Sequence, residues 1–362
     1  MKKNSFLLLL IVIFCHTIFA RDLKPGFDKN EYSEMLKISA QTNRSPSVGA
    51  SFYPERYEVN YRSPILGMDN LWELWISEDS VAVIAIRGTV GSTVSWMSNL
   101  YAAMVPAKGE LKLTDNYTFK YQLAQNPQAA VHVGWLVSTG FLAKDILPKI
   151  DSCYRAGIKN FYITGHSQGG GIGFLMTSYL RNLQHDGELP EDIRFKTYCS
   201  AGPKPGNLYY AYEYETQTQD GWAYNVVNVD DCVPMLPFTV QTSEDIISNG
   251  PFTSMESLIR EQPLPHKNAL CMIYKKMDAP SIKAMEKYQK YLGGKMAELV
   301  KKHLEEYHLP AYYPSNNYVR AGNQYILQGC DLYHQQFSLA SNHLIEHHSP
   351  AAYYFILTHN NQ

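Results

Sequence analysis

Between Trp72 and Phe238 the apolar residues fall in short, continuous runs rather than in alternation with polar ones. Val81-Ala-Val-Ile-Ala-Ile86 is unbroken and β-branched, the pattern of a strand covered on both faces, and it stops at the turn-forming Arg87-Gly88-Thr89. Trp72 to Trp75 predicts a strand just before it. Phe161 to Thr164 predicts another, followed at once by Gly165, by Gly169 to Gly171, and by apolar positions at helical spacing from Ile172 to Leu183. Tyr198 and Cys199 end a further strand ahead of Gly202-Pro203-Lys204-Pro205-Gly206. Tyr224 to Val229 forms one more, closed by Asp230-Asp231. Strands alternating with helices in this way predict an α/β architecture, with a mostly parallel central sheet flanked by helices.

On either side the texture changes. Arg21 to about Arg62 is polar and mixed, with one helix predicted from Tyr32 to Ile38. Residues 240–270 are irregular and carry prolines. Ser281 to Tyr307 predicts a helix in which Ile282, Met285, Leu292, Met296, Leu299, Val300 and Leu304 approximate one stripe, broken or kinked at Gly293-Gly294. Residues 308–342 are rich in Tyr, Asn and Gln and show little periodicity. There is no internal repeat and no low-complexity segment.

The first twenty residues have the layout of a signal peptide: basic Lys2 and Lys3, an apolar run from Phe6 to Phe14, and Ala20 at a cleavage point. The run stops at Cys15-His16, short of the about 20 apolar residues that span a bilayer. A secreted or periplasmic protein with no stable membrane span is the expectation. The remainder, 21–362, reads as a single domain, with 240–340 as a cap or a peripheral insertion.

Composition acts mainly by exclusion. The chain is 45% hydrophobic and 18% charged, ordinary for a folded protein. Loss of the signal takes away two lysines and no acid, so the net charge of −2 becomes −4. With no Lys/Arg run, nucleic acid finds no electrostatic handle. Cys153, Cys199, Cys232, Cys271 and Cys330 would remain, an odd number with no C-x-x-C spacing. They admit up to two disulfides, or serve as small buried apolar side chains.

The candidate chemistry sits at Gly165-His166-Ser167-Gln168-Gly169. A serine hydroxyl is a poor nucleophile until a base removes its proton and paired donors receive the developing oxyanion. A sharp turn between strand and helix lifts the hydroxyl above the sheet and aims the following backbone N–H at the reacting carbonyl. Gly165 and Gly169 flank it where a side chain would meet the neighbouring strand or helix. A bare G-x-S-x-G is common by chance; the predicted strand before it and helix after it make this one specific.

Several segments then resemble the class 3 lipase family, a fungal-lipase-like branch of the α/β-hydrolases. Ile86-Arg87-Gly88-Thr89 resembles the family's F-R-G-[ST], with Trp96 and Leu100 placed like its following W and L. Val131-His132-Val133-Gly134-Trp135 is similar to H-x-G-F. The elbow G-H-S-Q-G-G differs in one position from G-H-S-L-G-G. Ser200 to Asn207 resembles F-G-x-P-x-x-G-N, and Val227 to Pro237 resembles V-x-x-x-D-x-V-P-x-L-P. The matches cover about residues 81–238. They imply an α/β-hydrolase fold, here with a long helical insertion before the catalytic histidine, and a secreted member of bacterial type.

In chain order the triad of that fold runs Ser, Asp or Glu, His. Asp230 and Asp231 both qualify by position, and the resemblance points to Asp231, two residues before Val-Pro; Asp230 would then serve a turn. The base must be a histidine after the acid, since imidazole alone trades protons near neutral pH without a large pKa shift. His348 fits the family's H-x-x-x-x-Y spacing to Tyr353, His347 is its rival, and His343 is more distant. His166 would shape the site, and His132, in a strand-like run, would be a hydrogen-bonded core residue. The oxyanion hole would pair the Gln168 N–H with Thr89, by resemblance, with the Thr89 hydroxyl assisting. No H-E-x-x-H or clustered ligand spacing calls for a metal, and the chemistry needs no cofactor.

The resemblance implies an ester or lipid substrate of acylglycerol type, met at a lipid–water interface, with a role in lipid metabolism. A carbohydrate or feruloyl-type esterase would share the mechanism, and a catalytically silent binding protein would share the fold. Val90 to Ala103 contains Val94, Trp96, Met97, Leu100 and Tyr101, and serves either as a lid or as a core-facing helix.

Overall fold

The computed structural model describes residues 22–44, 52–246, 255–337 and 345–359. The signal segment and His343 lie outside them.

The strands in chain order are β1 (Tyr57–Arg62), β2 (Trp72–Ser77), β3 (Val81–Ile86), β4 (Met104–Pro106), β5 (Lys108–Thr114), β6 (Tyr117–Gln122), β7 (Ala130–His132), β8 (Asn160–His166), β9 (Arg194–Ser200), β10 (Ala223–Asn228) and β11 (Asn323–Leu327). The α-helices are α1 (Lys29–Asn43), α2 (Thr93–Leu100), α3 (Val133–Arg155), α4 (Gln168–His185), α5 (Leu208–Gln217), α6 (Met255–Arg260), α7 (His266–Tyr288), α8 (Met296–His303), α9 (Asp331–Gln336) and α10 (Pro350–His359).

Seven strands form the central sheet in the order β1-β2-β3-β8-β9-β10-β11. β1, β2 and β3 pair antiparallel, and from β3 to β11 every neighbour is parallel. The unbroken apolar run of β3 now has its reason. Val81, Val83 and Ala85 face a core with α1 and α10, while Ala82, Ile84 and Ile86 face a second core with α3 and α4. Parallel strands place all their C-terminal ends on one edge, so the loops after β3, β8, β9 and β10 open on the same side.

Local signals set the helix ends. The Asp28 carboxylate accepts from the Asn30 and Glu31 N–H groups to start α1, and Arg44 closes it in the left-handed conformation. His132 is the buried, hydrogen-bonded core residue expected of its strand-like run. It ends β7 and caps α3, its Nδ1 accepting from the Trp135 N–H at 3.3 Å.

The insertion departs from expectation at Gly293-Gly294. The helix neither breaks nor stops there; it widens into a π-helical turn, Gln289–Lys295, and continues as α8. A Cβ on Gly293 would lie 2.9 Å from Ala103 Cβ and from a Tyr312 ring carbon, so the absent side chain admits a close approach to the segment after α2. The predicted stripe holds for Met285 and Val300, which are buried, but Leu299 faces solvent. Residues 308–342, where no periodicity was legible, contain β11 and α9. β11 is an edge strand with a half-exposed pattern, and its pairing to β10 rather than its sequence makes it a strand. Among the described residues the five cysteines are unpaired, and only Cys153 and Cys199 have the buried, apolar character expected of packing residues.

α2 and α3 approach so closely that a Cβ on Gly134 would fall 2.1 Å from the Ser98 carbonyl oxygen. Alanine at an open helical position gains about 1 kcal/mol over glycine, but overpacking costs about 1–3 kcal/mol or more. With a backbone atom that close the upper end of the cost applies, so Gly134→Ala is expected to lower the unfolding free energy by about 2 kcal/mol or more in urea titration; an unchanged or raised stability would show that the two helices can part without cost.

Candidate active site

The turn between β8 and α4 is made possible by what is missing. A Cβ on Gly165 would lie 2.3 Å from the Gly169 backbone, and one on Gly169 would lie 2.3 Å from the Ile86 carbonyl oxygen. Ser167 sits between them at φ 62° and ψ −128°, a conformation that L-residues rarely hold. Its N–H donates to Ser200 O at 2.9 Å and its carbonyl accepts from Gly171 N–H at 3.1 Å, so both sides of the strained residue are tied down. The Ser167 side remains partly open to solvent.

Gln168 is the first residue of α4, where an α-helix leaves its N–H groups without internal partners. The Arg87-Gly88-Thr89 loop lies across the elbow. A Cβ on Gly88 would be 2.8 Å from His166 O and 3.6 Å from Ser167 Cβ. The Thr89 hydroxyl donates to Gln168 Oε1 at 2.9 Å and accepts from Asn99 Nδ2 at 2.8 Å. Its one proton is thus committed, and only the backbone N–H of Thr89 is left to offer an oxyanion. The expected help from the hydroxyl is indirect, through the placement of Gln168.

On the other side, the loop after β10 carries the acid. Asp231 is buried, and its Oδ2 is 2.7 Å from His348 Nδ1. Tyr353 donates its hydroxyl to the same oxygen at 2.7 Å, and the Val233 N–H donates to Oδ1 at 2.9 Å. Burial alone would raise the Asp231 carboxyl, but these donors and the charge of the imidazole hold it below the usual carboxylate range. A carboxylate so held stays ionised and orients the ring through Nδ1, leaving Nε2 for proton transfer.

The rival candidates are placed elsewhere. His347 Nδ1 lies 2.6 Å from the Tyr333 hydroxyl, and that hydroxyl accepts from Asn228 Nδ2. Asp230 Oδ2 pairs with His334 Nε2 at 3.0 Å. One residue of register sends each neighbour to a different partner.

His166 and His132 are buried, and burial pushes each imidazole down to about 3, so both are neutral at pH 7. For His166 the tautomer follows. Nε2 is 2.6 Å from the His348 carbonyl oxygen, which can only accept, so Nε2 carries the proton and Nδ1 accepts from Ser200 Oγ at 3.0 Å. Ser200 Oγ in turn accepts from the Tyr32 hydroxyl at 2.7 Å. A hydrogen-bonded line from α1 through β9 and the elbow therefore fixes the backbone of His348. Neither Tyr32 nor Ser200 carried a sequence signal for this. Tyr353 did, through its spacing from His348, though its bond to Asp231 was not foreseen.

A largely parallel sheet with a strained serine at a strand–helix turn, and an Asp–His pair on the neighbouring loops, defines the α/β-hydrolase class. Residues 83–241 match the model of the lipase (class 3) family. A secreted mono- and diacylglycerol lipase 1 of Fusarium solani is 28% identical over 172 residues, 45% of this chain and 48% of the relative. The chain thus spans about half the length of the curated relative it matches. Among solved structures, a Rhizomucor miehei lipase–propeptide complex is similar at TM-score 0.43 and 20% identity, covering 59% of this chain and 65% of that one. Lipase II of Rhizopus niveus gives TM-score 0.43 and 20% identity over 58% and 74%.

Tyr353→Phe keeps the ring and removes one donor from a buried carboxylate. It is expected to cost about 1.5–3 kcal/mol of stability at pH 7, read by urea unfolding; a change within error would mean that Tyr353 does not support Asp231. The two neutral histidines set a pH dependence. Each has its folded pKa below its unfolded value, so the unfolded state takes up protons first as the pH falls through about 6.5. Stability should be fully present above that pH and decline toward pH 3, at a limiting slope of about 1.4 kcal/mol per pH unit per histidine. His132→Gln should flatten that slope in urea titrations between pH 7 and 4, and an unchanged slope would contradict the assignment.

Proposed function

We propose that this chain is a secreted serine ester hydrolase of lipase type that uses Ser167, Asp231 and His348 as its triad. The observation that carries the reading is the buried, ionised Asp231 bound to His348 Nδ1, on the loops beside a serine held at φ 62°. In the first step Ser167 Oγ attacks the ester carbonyl carbon and its proton passes to His348 Nε2. The oxyanion is received by the backbone N–H groups of Gln168 and Thr89. The C–O bond to the alcohol breaks, and the alcohol leaves with the proton from His348. Water then gives a proton to the same nitrogen, attacks the acyl-enzyme, and releases the carboxylic acid while the proton returns to Ser167.

The match of residues 83–241 to the class 3 lipase family and the likeness to a mono- and diacylglycerol lipase support an acylglycerol-type ester as substrate. The signal-like residues 1–20 and the secreted relative support export. Among the described residues no helix is long and apolar enough to cross a membrane. Residues 21–362 are read as one domain. In the stretch 240–340, α7 is largely exposed and peripheral, while the π-helical turn and α8 pack toward α2 as part of the site's surroundings.

Hydrolysis of p-nitrophenyl esters from C2 to C16 tests the reading. Ser167→Ala and His348→Ala should each lower kcat/KM by about 10⁴-fold or more, with His347→Ala below about tenfold. A fluorophosphonate probe should label wild type at Ser167. No labelling and no turnover would favour the silent binding protein, and activity retained in Ser167→Ala would sink the nucleophile assignment.

A further inference from the structure

The helix that follows the Arg87-Gly88-Thr89 loop, α2, sets much of its polar surface inward and exposes two large apolar side chains. Its outward residues are Thr93, Trp96 and Leu100, with Trp96 half exposed; its inward residues are the polar Ser95, Ser98 and Asn99 together with Val94 and Met97, which pack against the core. Those inward polar groups are all used. Ser98 Oγ pairs with Ser138 Oγ at 2.9 Å, and Asn99 accepts from Trp135 Nε1 at its side chain and from His132 Nε2 at its carbonyl. Asn99 Nδ2 donates to Thr89, and Ser95 Oγ accepts from the Val90 N–H. At the N-terminal end the capping Ser92 hydroxyl is bonded to Asp69.

The C-terminal end is tied more firmly. Val133 and Gly134, the first residues of α3, donate their N–H groups to the carbonyls of Ala103 and Tyr101, both at 3.0 Å. The segment after α2 is therefore the cap of α3, and its departure would strand two helix N–H groups. The insertion adds a clamp: the Tyr318 hydroxyl donates to Ala102 O at 3.0 Å, and Tyr101 and Tyr312 hydroxyls meet at 2.9 Å. Ser167 is half-buried rather than fully covered with α2 in this position.

We infer that α2 is a fixed wall of the site and not a movable lid, so that the enzyme takes single ester molecules from solution without activation by an interface. Lifting α2 together with residues 101–103 would break at least five hydrogen bonds to α3, β7 and the insertion. At roughly fivefold in population for each, the lifted state falls below about one molecule in a thousand. The substrate part of this inference rests on the ester-hydrolase reading; the fixed wall does not.

Two measurements on the full chain separate them. Tributyrin hydrolysis followed through its solubility limit should saturate smoothly, and a rise of about threefold or more at that limit would overturn the inference. Hydrogen exchange of the amides of 93–103 should be equally slow in buffer and with vesicles of dioleoylphosphatidylcholine. Acceleration of about tenfold or more on vesicles would overturn the fixed wall whether or not any ester is hydrolysed. Slow exchange with no hydrolysis at any concentration would instead count against the ester-hydrolase reading alone. The double variant Ser138→Ala/Tyr318→Phe loses two tethers and should exchange about 25-fold faster in this segment; exchange at the wild-type rate would show that these bonds do not hold the helix.

Discussion

Everything at the candidate site hangs on how closely four pieces of backbone approach one another around Ser167. Gly165 and Gly169 bring the end of β8 against the start of α4, Gly169 also brings α4 against Ile86 of β3, and Gly88 brings the next loop against His166. A single Cβ at any of these points would fall within 3 Å of another backbone atom. The strained φ of Ser167 persists because β9 on one side and the first turn of α4 on the other hold its two peptide groups. The hydroxyl gains its position from packing of main chain, before any catalytic partner is considered.

The acid–base side is organised by burial rather than by close approach. Asp231 is taken out of water, which by itself would favour the neutral acid, and three donors reverse that preference. His166 is neutral for the same reason of burial, and that neutrality gives it one donor and one acceptor to use. It spends the donor on the carbonyl of His348 and the acceptor on Ser200. The elbow, β9 and the backbone of His348 are thereby joined by groups that stay uncharged.

A second organising feature is the service that α2 performs for α3. The segment after α2 supplies the carbonyls that the first amides of α3 need, and Gly134 allows the two backbones to touch. The insertion that looked like a separate addition in sequence presses on this junction through Gly293, Tyr312 and Tyr318. Its exposed part, α7, contributes little to the core. The helix beside Ser167 is thus held from two directions, by α3 within the family-matching stretch and by the insertion beyond it.

Much of this was legible in the chain. Buried parallel strands announce themselves as continuous apolar runs, and the elbow's glycines occur at fixed local spacing, so the sheet and Ser167 could be read directly. Asp231 and His348 followed from ordered motifs and spacing, yet Asp230 and His347 stood beside them with the same chemistry. Only the fold separates these neighbours, because adjacent residues point to different sides: Asp231 meets His348 and Tyr353, while Asp230 meets His334 and His347 meets Tyr333. Edge strand β11, the π-helical turn and the inward polar face of α2 were equally hidden, since each is defined by a partner distant in sequence. The chain by itself determined which residues could do the chemistry, through local periodicity and backbone requirements. The tertiary structure decided which of them meet, because hydrogen bonds and burial between remote segments have no local pattern.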